Sequence, residues 1–165
     1  MINLRTGAVL LAAVGFVLAW TATAASRSQL VVESENGDTL WTLPVSRGSR
    51  VILEYVNSLY LASTQEHFTV TRRGFALVEV WSTSSGVLES NSLPTPYARR
   101  GTFFVSSVAA FVPRIVTRIG PIGQQKLRVD NQEVPLFAAG TGARVTITLR
   151  SGFPPASLRH WLRIN

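Results

Sequence analysis

Arg144-Val145-Thr146-Ile147-Thr148-Leu149-Arg150 decides how the chain is read. Val145, Ile147 and Leu149 alternate with Thr146 and Thr148, which places the two sets on opposite faces of an extended strand. The β-branched residues favour the same conformation, because they fit a pleated, half-buried surface. Arg50 to Val56 repeats the pattern, with Val51, Leu53 and Tyr55 on one face and Glu54 on the other. Gln65 to Thr71 repeats it again through Phe68 and Val70.

Working outward, Gln29 to Glu33 and Thr39 to Val45 read as two strands joined at Asn36-Gly37, a strong hairpin-turn signal. Pro44 places the second of them at a sheet edge or at its own end. Phe75 to Trp81 is nearly continuous in apolar residues, which predicts a central strand with both faces largely covered. Ser82 to Ser92 is rich in Ser, Gly and Asn and reads as a long loop, continued by an irregular stretch to Arg100. Phe103 to Val105 and Arg114 to Ile119 are weaker strands. Lys126 to Val129 alternates and turns at Asp130-Asn131 into a strand at Glu133 to Phe137. The tail beyond Pro154-Pro155 fits a helix through Leu158, Trp161 and Leu162, and a strand equally well. Many short strands separated by Gly and Pro predict an all-β fold, a single β-sandwich or open barrel occupying residues 25–165.

The N-terminus differs. Arg5 precedes an apolar run from Gly7 to Trp20, and Ala22-Thr23-Ala24 follows. A short basic region, an apolar core and small residues before a cut are the parts of an export signal, with cleavage expected after Ala24. Left uncut, the same run approaches the length of a membrane anchor. Either way residues 1–24 predict an exported protein, periplasmic or on the cell surface, with membrane contact through this segment.

The net charge is +7, carried by scattered arginines and the single lysine Lys126. No basic run interleaves with aromatics as a nucleic-acid groove requires, so no nucleic-acid partner is expected. Absence of cysteine removes disulfides, thiolate nucleophiles and thiolate metal sites. His67 and His160 lack a second ligand at metal spacing, and Glu66 beside His67 would face the opposite side of a strand. There is no G-x-S-x-G elbow and no P-loop. The expectation is therefore no catalytic residue, no metal and no cofactor.

Tyr55-Val56-Asn57-Ser58 ends a strand with hydrogen-bonding groups, and Glu66 opens the next. If the strands pair, these groups meet at one end of the sheet; alternatively Asn57 and Ser58 simply serve the turn. Trp81, near the Ser82–Asn91 loop, is a candidate aromatic anchor or a core residue.

The segment Arg50 to Phe68, R-V-I-L-E-Y-V-N-S-L-Y-L-A-S-T-Q-E-H-F, resembles the signature of the bacterial DUF1850 family, small exported proteins often encoded beside tripartite, TRAP-type transporters. The family's aromatic-x-His-Ser motif and following acidic residue correspond here to Tyr55, Asn57, Ser58 and Glu66, with Phe68 after them. Asn57 stands where the family has His, and its Gly-rich loop is reduced to Ser85-Gly86-Val87-Leu88. The resemblance implies an accessory protein with no established activity. The expected function is a non-enzymatic binding domain whose partner is a transporter subunit or solute-binding protein. Binding of a small solute, or of an anionic lipid or envelope surface through the arginines, are the alternatives.

Overall fold

The computed structural model describes residues 28–150. In chain order the strands are β1 (Ser28–Ser34), β2 (Thr39–Val45), β3 (Arg50–Asn57), β4 (Ala62–Val70) and β5 (Phe75–Ser82). A helix α1 (Ser85–Ser90) precedes β6 (Ala98–Arg100), β7 (Phe103–Val112), β8 (Ile115–Arg118), β9 (Lys126–Val129), β10 (Gln132–Val134) and β11 (Arg144–Arg150). They form two sheets, four strands in the order β2-β1-β11-β8 and seven in the order β10-β9-β3-β4-β5-β7-β6. The fold is a β-sandwich, as the strand pattern predicts. The export signal ending at Ala24 and the ambiguous tail lie outside the described residues.

Local chemistry accounts for the hairpin. Gly37 adopts φ +86°, a left-handed conformation that a side chain resists, and the Ser34 amide donates to the Asp38 carbonyl oxygen at 2.9 Å. Pro44 lies on β2, an edge strand, where a missing N–H costs least. Asp130 takes φ +50° in the β9–β10 turn, and its carboxylate accepts the Arg50 amide at 2.9 Å.

The alternation read in the sequence faces the core. Val145 and Ile147 of β11 are fully buried, as are Leu30 and Val32 of β1, to which β11 pairs. They meet Val51 and Leu53 of β3, Phe68 and Val70 of β4, and Leu127 and Val129 of β9. Phe68 and Phe75 pack edge to face, with ring centroids 6.3 Å apart. Each such large apolar side chain contributes about 1.5–3 kcal/mol on burial.

Four segments depart from the sequence reading. The supposed loop Ser82–Ser92 contains α1, because Val87 and Leu88 are fully buried at the end of the large sheet. In the same sheet Thr64, Ser82 and Ser106 are all fully buried and all hydrogen-bonded. The Thr64 and Ser82 hydroxyls are 3.2 Å apart, and the Ser106 hydroxyl donates to the Pro94 carbonyl at 2.7 Å. β7 extends to Val112 through Ser106, Ser107 and Ala109, whose weak local preference is overridden by pairing with β5. β6 occupies part of the stretch read as irregular. The strand expected at Glu133–Phe137 stops at Val134 and gives way to a 3-10 turn at Leu136–Ala139, buried at Leu136. β5 is central and largely covered, as its apolar run predicts; a bulge between Leu77 and Glu79 leaves Val78 of that strand 40 % exposed.

Candidate functional site

β3 and β4 pair antiparallel, with Leu53 opposite Glu66 and Tyr55 opposite Thr64. Directly opposed residues share a face, so Tyr55 and Glu66 both point to the inner side of the large sheet, diagonal to one another. The Tyr55 hydroxyl donates to Glu66 Oε1 at 2.9 Å. Burial raises the Glu66 carboxyl above its ordinary range, partly offset by that hydrogen bond. Burial also raises the Tyr55 phenol, and the neighbouring Glu66 charge and hydrogen bond add to it. The pair is thus a neutral phenol donating to a carboxyl that holds its proton to higher pH than an exposed one would.

This pair lines a cleft of about 340 Å³ at the end of the sandwich. Asn57 and Ser58 continue one wall; the opposite side is built by Arg118 at the end of β8 and by residues 120–125 leading into β9. The loop is tied to β3 where the Val56 amide donates to the Gly123 carbonyl at 2.8 Å. Gln125 closes the floor. It is 7 % exposed, and its Nε2 donates to the Arg118 carbonyl at 3.1 Å, while its Oε1 is buried without a hydrogen-bond donor among the described residues. A buried amide oxygen in that state is an acceptor awaiting a donor.

The rim is apolar. The turn between β3 and β4 presents Leu59 (78 % exposed) and Leu61 (69 % exposed), with half-exposed Tyr60 between them. Ile122 stands exposed on the opposite lip. Asn57 Oδ1 accepts the amides of Leu59 and Tyr60, each at 3.1 Å, so its side chain does serve the turn. Leu61 holds φ +49°, a left-handed conformation that costs a bulky non-glycine residue of order 1–3 kcal/mol.

Of the residues expected from sequence, Tyr55, Asn57, Ser58 and Glu66 come together here. Trp81 does not. It lies opposite Gln65, one residue out of phase with Glu66, and faces the outer side of the large sheet. There it stacks on His67 with centroids 4.6 Å apart, while Arg100 lies over its ring at 5.0 Å. Glu79 ties this group together, accepting from Trp81 Nε1 at 2.9 Å and from both Arg100 terminal nitrogens. Burial lowers His67 below its ordinary pKa; Glu79 opposes that shift, and Arg50, Arg128 and Arg100 reinforce it. Glu66 and His67 therefore face opposite sides, as adjacent strand residues should. Among the described residues no group of three or more His, Cys, Asp or Glu could hold a metal ion.

Gln125, Arg118, Leu59, Leu61 and Ile122 escape the sequence reading. Leu59-Tyr60-Leu61 carries a signal in retrospect, since a turn normally filled by polar residues is apolar here. Gln125 carries none, because its importance comes from a fold that buries it.

Comparison with known proteins finds no matching family model, no similar curated protein and no similar solved structure.

Proposed function

We propose that this chain is an exported, non-catalytic binding domain of the bacterial cell envelope, and that it docks on a subunit of a TRAP-type membrane transporter or on the solute receptor serving it. The observation that carries this reading is the presence of exposed apolar residues, Leu59 and Leu61 on the adjoining β3–β4 turn and Ile122 on the cleft wall, beside a polar cleft floor at Tyr55, Glu66 and Gln125. Apolar contacts around hydrogen-bonding groups are the anatomy of a recognition site. The strained Leu61 backbone supports it, since strain kept on a surface turn is commonly retained for function. The residues behind the DUF1850 resemblance, Tyr55, Asn57, Ser58 and Glu66, are among those lining this cleft.

The test is capture from detergent-solubilised native membranes by the tagged full-length chain, with co-purifying proteins identified by mass spectrometry. A transporter subunit or solute receptor should be enriched by the parent chain and lost with Leu59→Ser combined with Ile122→Ser. Burial of one leucine at an interface contributes about 1.5–3 kcal/mol, so the pair should weaken capture at least tenfold. Equal capture by parent and variant would remove this surface from the proposal.

A second reading is favoured by the unpartnered Gln125 Oε1 alone. It makes the cleft a pocket for a small solute that brings a hydrogen-bond donor, such as an amino acid. Thermal-shift titration with amino acids and small carboxylic acids distinguishes it, because stabilisation must then grow with ligand concentration.

A further inference from the structure

The end of the sandwich opposite the cleft gathers four exposed arginines, with one carboxylate, Asp130 of the β9–β10 turn, bonded to the Arg50 amide. Arg47 lies in the β2–β3 turn, Arg72 and Arg73 in the β4–β5 turn, and Arg114 just beyond β7; all are exposed. Antiparallel pairing brings these turns to one end, since Arg50 opposes Thr69 and Phe75 opposes Val112. Among the described residues, none of these arginines has an acidic partner within salt-bridge distance; the ion pairs there use Arg100, Lys126, Arg128 and Arg150. Arg47, Arg72 and Arg73 line a recess of about 660 Å³ with Phe111, whose side chain is 56 % exposed. Like charges gathered without salt-bridge partners among the described residues, around an exposed aromatic ring, complement a negatively charged interface.

Chain connectivity selects the occupant. Gln29 opposes Arg150, so the polypeptide enters the sandwich at Ser28 and leaves it after Arg150 at the same end. That end also carries the finish of β2 and therefore Arg47. Preceding Ser28 by a few residues is the apolar run Gly7–Trp20, and the segment following Arg150 includes Arg159, Trp161 and Arg163. Neither flanking segment contains Asp or Glu. In the sequence an apolar segment precedes the fold and a basic, aromatic one follows it, a composition suited to the boundary between lipid headgroups and water.

We infer that this end docks on an anionic phospholipid bilayer, Arg47, Arg72, Arg73 and Arg114 meeting headgroup phosphates and Phe111 dipping between them. The cleft then points away from the membrane, open to a partner. This assignment does not depend on what the cleft binds.

The absence of native cysteine makes the test direct. The full-length chain is reconstituted into vesicles of phosphatidylcholine, with or without roughly 30 mol % phosphatidylglycerol. A fluorophore is attached at Ser46→Cys, on the basic end, or at Thr141→Cys, on the opposite end, and quenched by headgroup-labelled lipid. Quenching at Ser46→Cys should exceed that at Thr141→Cys several-fold in the anionic vesicles. About 0.5 M NaCl should abolish the difference, because screening then acts within a few ångströms. Charge reversal at Arg47, Arg72 and Arg73 should abolish it too, each arginine near such a surface being worth about a fivefold factor in association. Equal quenching at the two ends, stronger quenching at Thr141→Cys, or a difference indifferent to phosphatidylglycerol would overturn the assignment.

Discussion

Gly123→Ala probes the wall of the cleft. A Cβ at this position would fall 2.3 Å from Gln125 Nε2 and 2.6 Å from its Cδ, closer than non-bonded atoms approach. A free side chain would swing aside at little cost, but that of Gln125 is 7 % exposed and held by the Arg118 carbonyl. Displacing it loses one hydrogen bond, about 0.5–1.5 kcal/mol net. Fitting an extra carbon into a packed site adds about 1–3 kcal/mol. Release of the unsatisfied Gln125 Oε1 to water returns part of this, which leaves about 2 kcal/mol of destabilisation. For a domain of this size that is a fall of roughly 6–10 °C in melting temperature. The assay is thermal and urea unfolding followed by tryptophan fluorescence, with a double-mutant cycle adding Gln125→Ala. Because that second change removes the clashing group, the combined cost must be well below the sum of the two single costs. A shift under about 2 °C, or strict additivity, would refute the packing of Gln125 on Gly123.

Gly86→Ala offers the opposite case: its Cβ would approach Tyr60 Cε1 to 2.6 Å, but Tyr60 is 40 % exposed and free to turn outward. Ala is favoured over Gly in a helix by about 1 kcal/mol, so unfolding measurements should show a neutral or slightly stabilising change. Glu66→Gln tests the buried carboxyl. Its pKa is raised above 4.5, so at pH values between that and the raised value the folded chain holds a proton that the unfolded chain has lost. Stability conferred by the protonated form is complete at acid pH and declines as pH rises through this window. Gln keeps an acceptor for Tyr55 and cannot ionise, so the variant's melting temperature should gain on the parent's as pH rises through that window. Parallel curves would remove the burial argument for Glu66.

The sequence by itself determined the strand periodicity, and with it the all-β class and most strand positions. Period-two alternation at Val145–Leu149 and Val51–Tyr55 is a local consequence of pleated backbone, legible without a partner strand. The Asn36-Gly37 turn and the edge position of Pro44 were legible for the same reason, since each follows from one residue's backbone constraint. Half of the cleft was legible too: Tyr55 and Glu66 meet because one short turn joins their strands. Only the tertiary structure decided the rest. Trp81 faces away from Glu66 because β4 and β5 register Trp81 against Gln65, and register is set by the whole sheet. Helix α1 exists because Val87 and Leu88 have somewhere to be buried, against the end of the sheet that β5 brings to them. Gln125 and the basic end depend on long-range pairing, which no local pattern encodes: the chain must fold before Arg47, Arg72, Arg73 and Arg114 become neighbours.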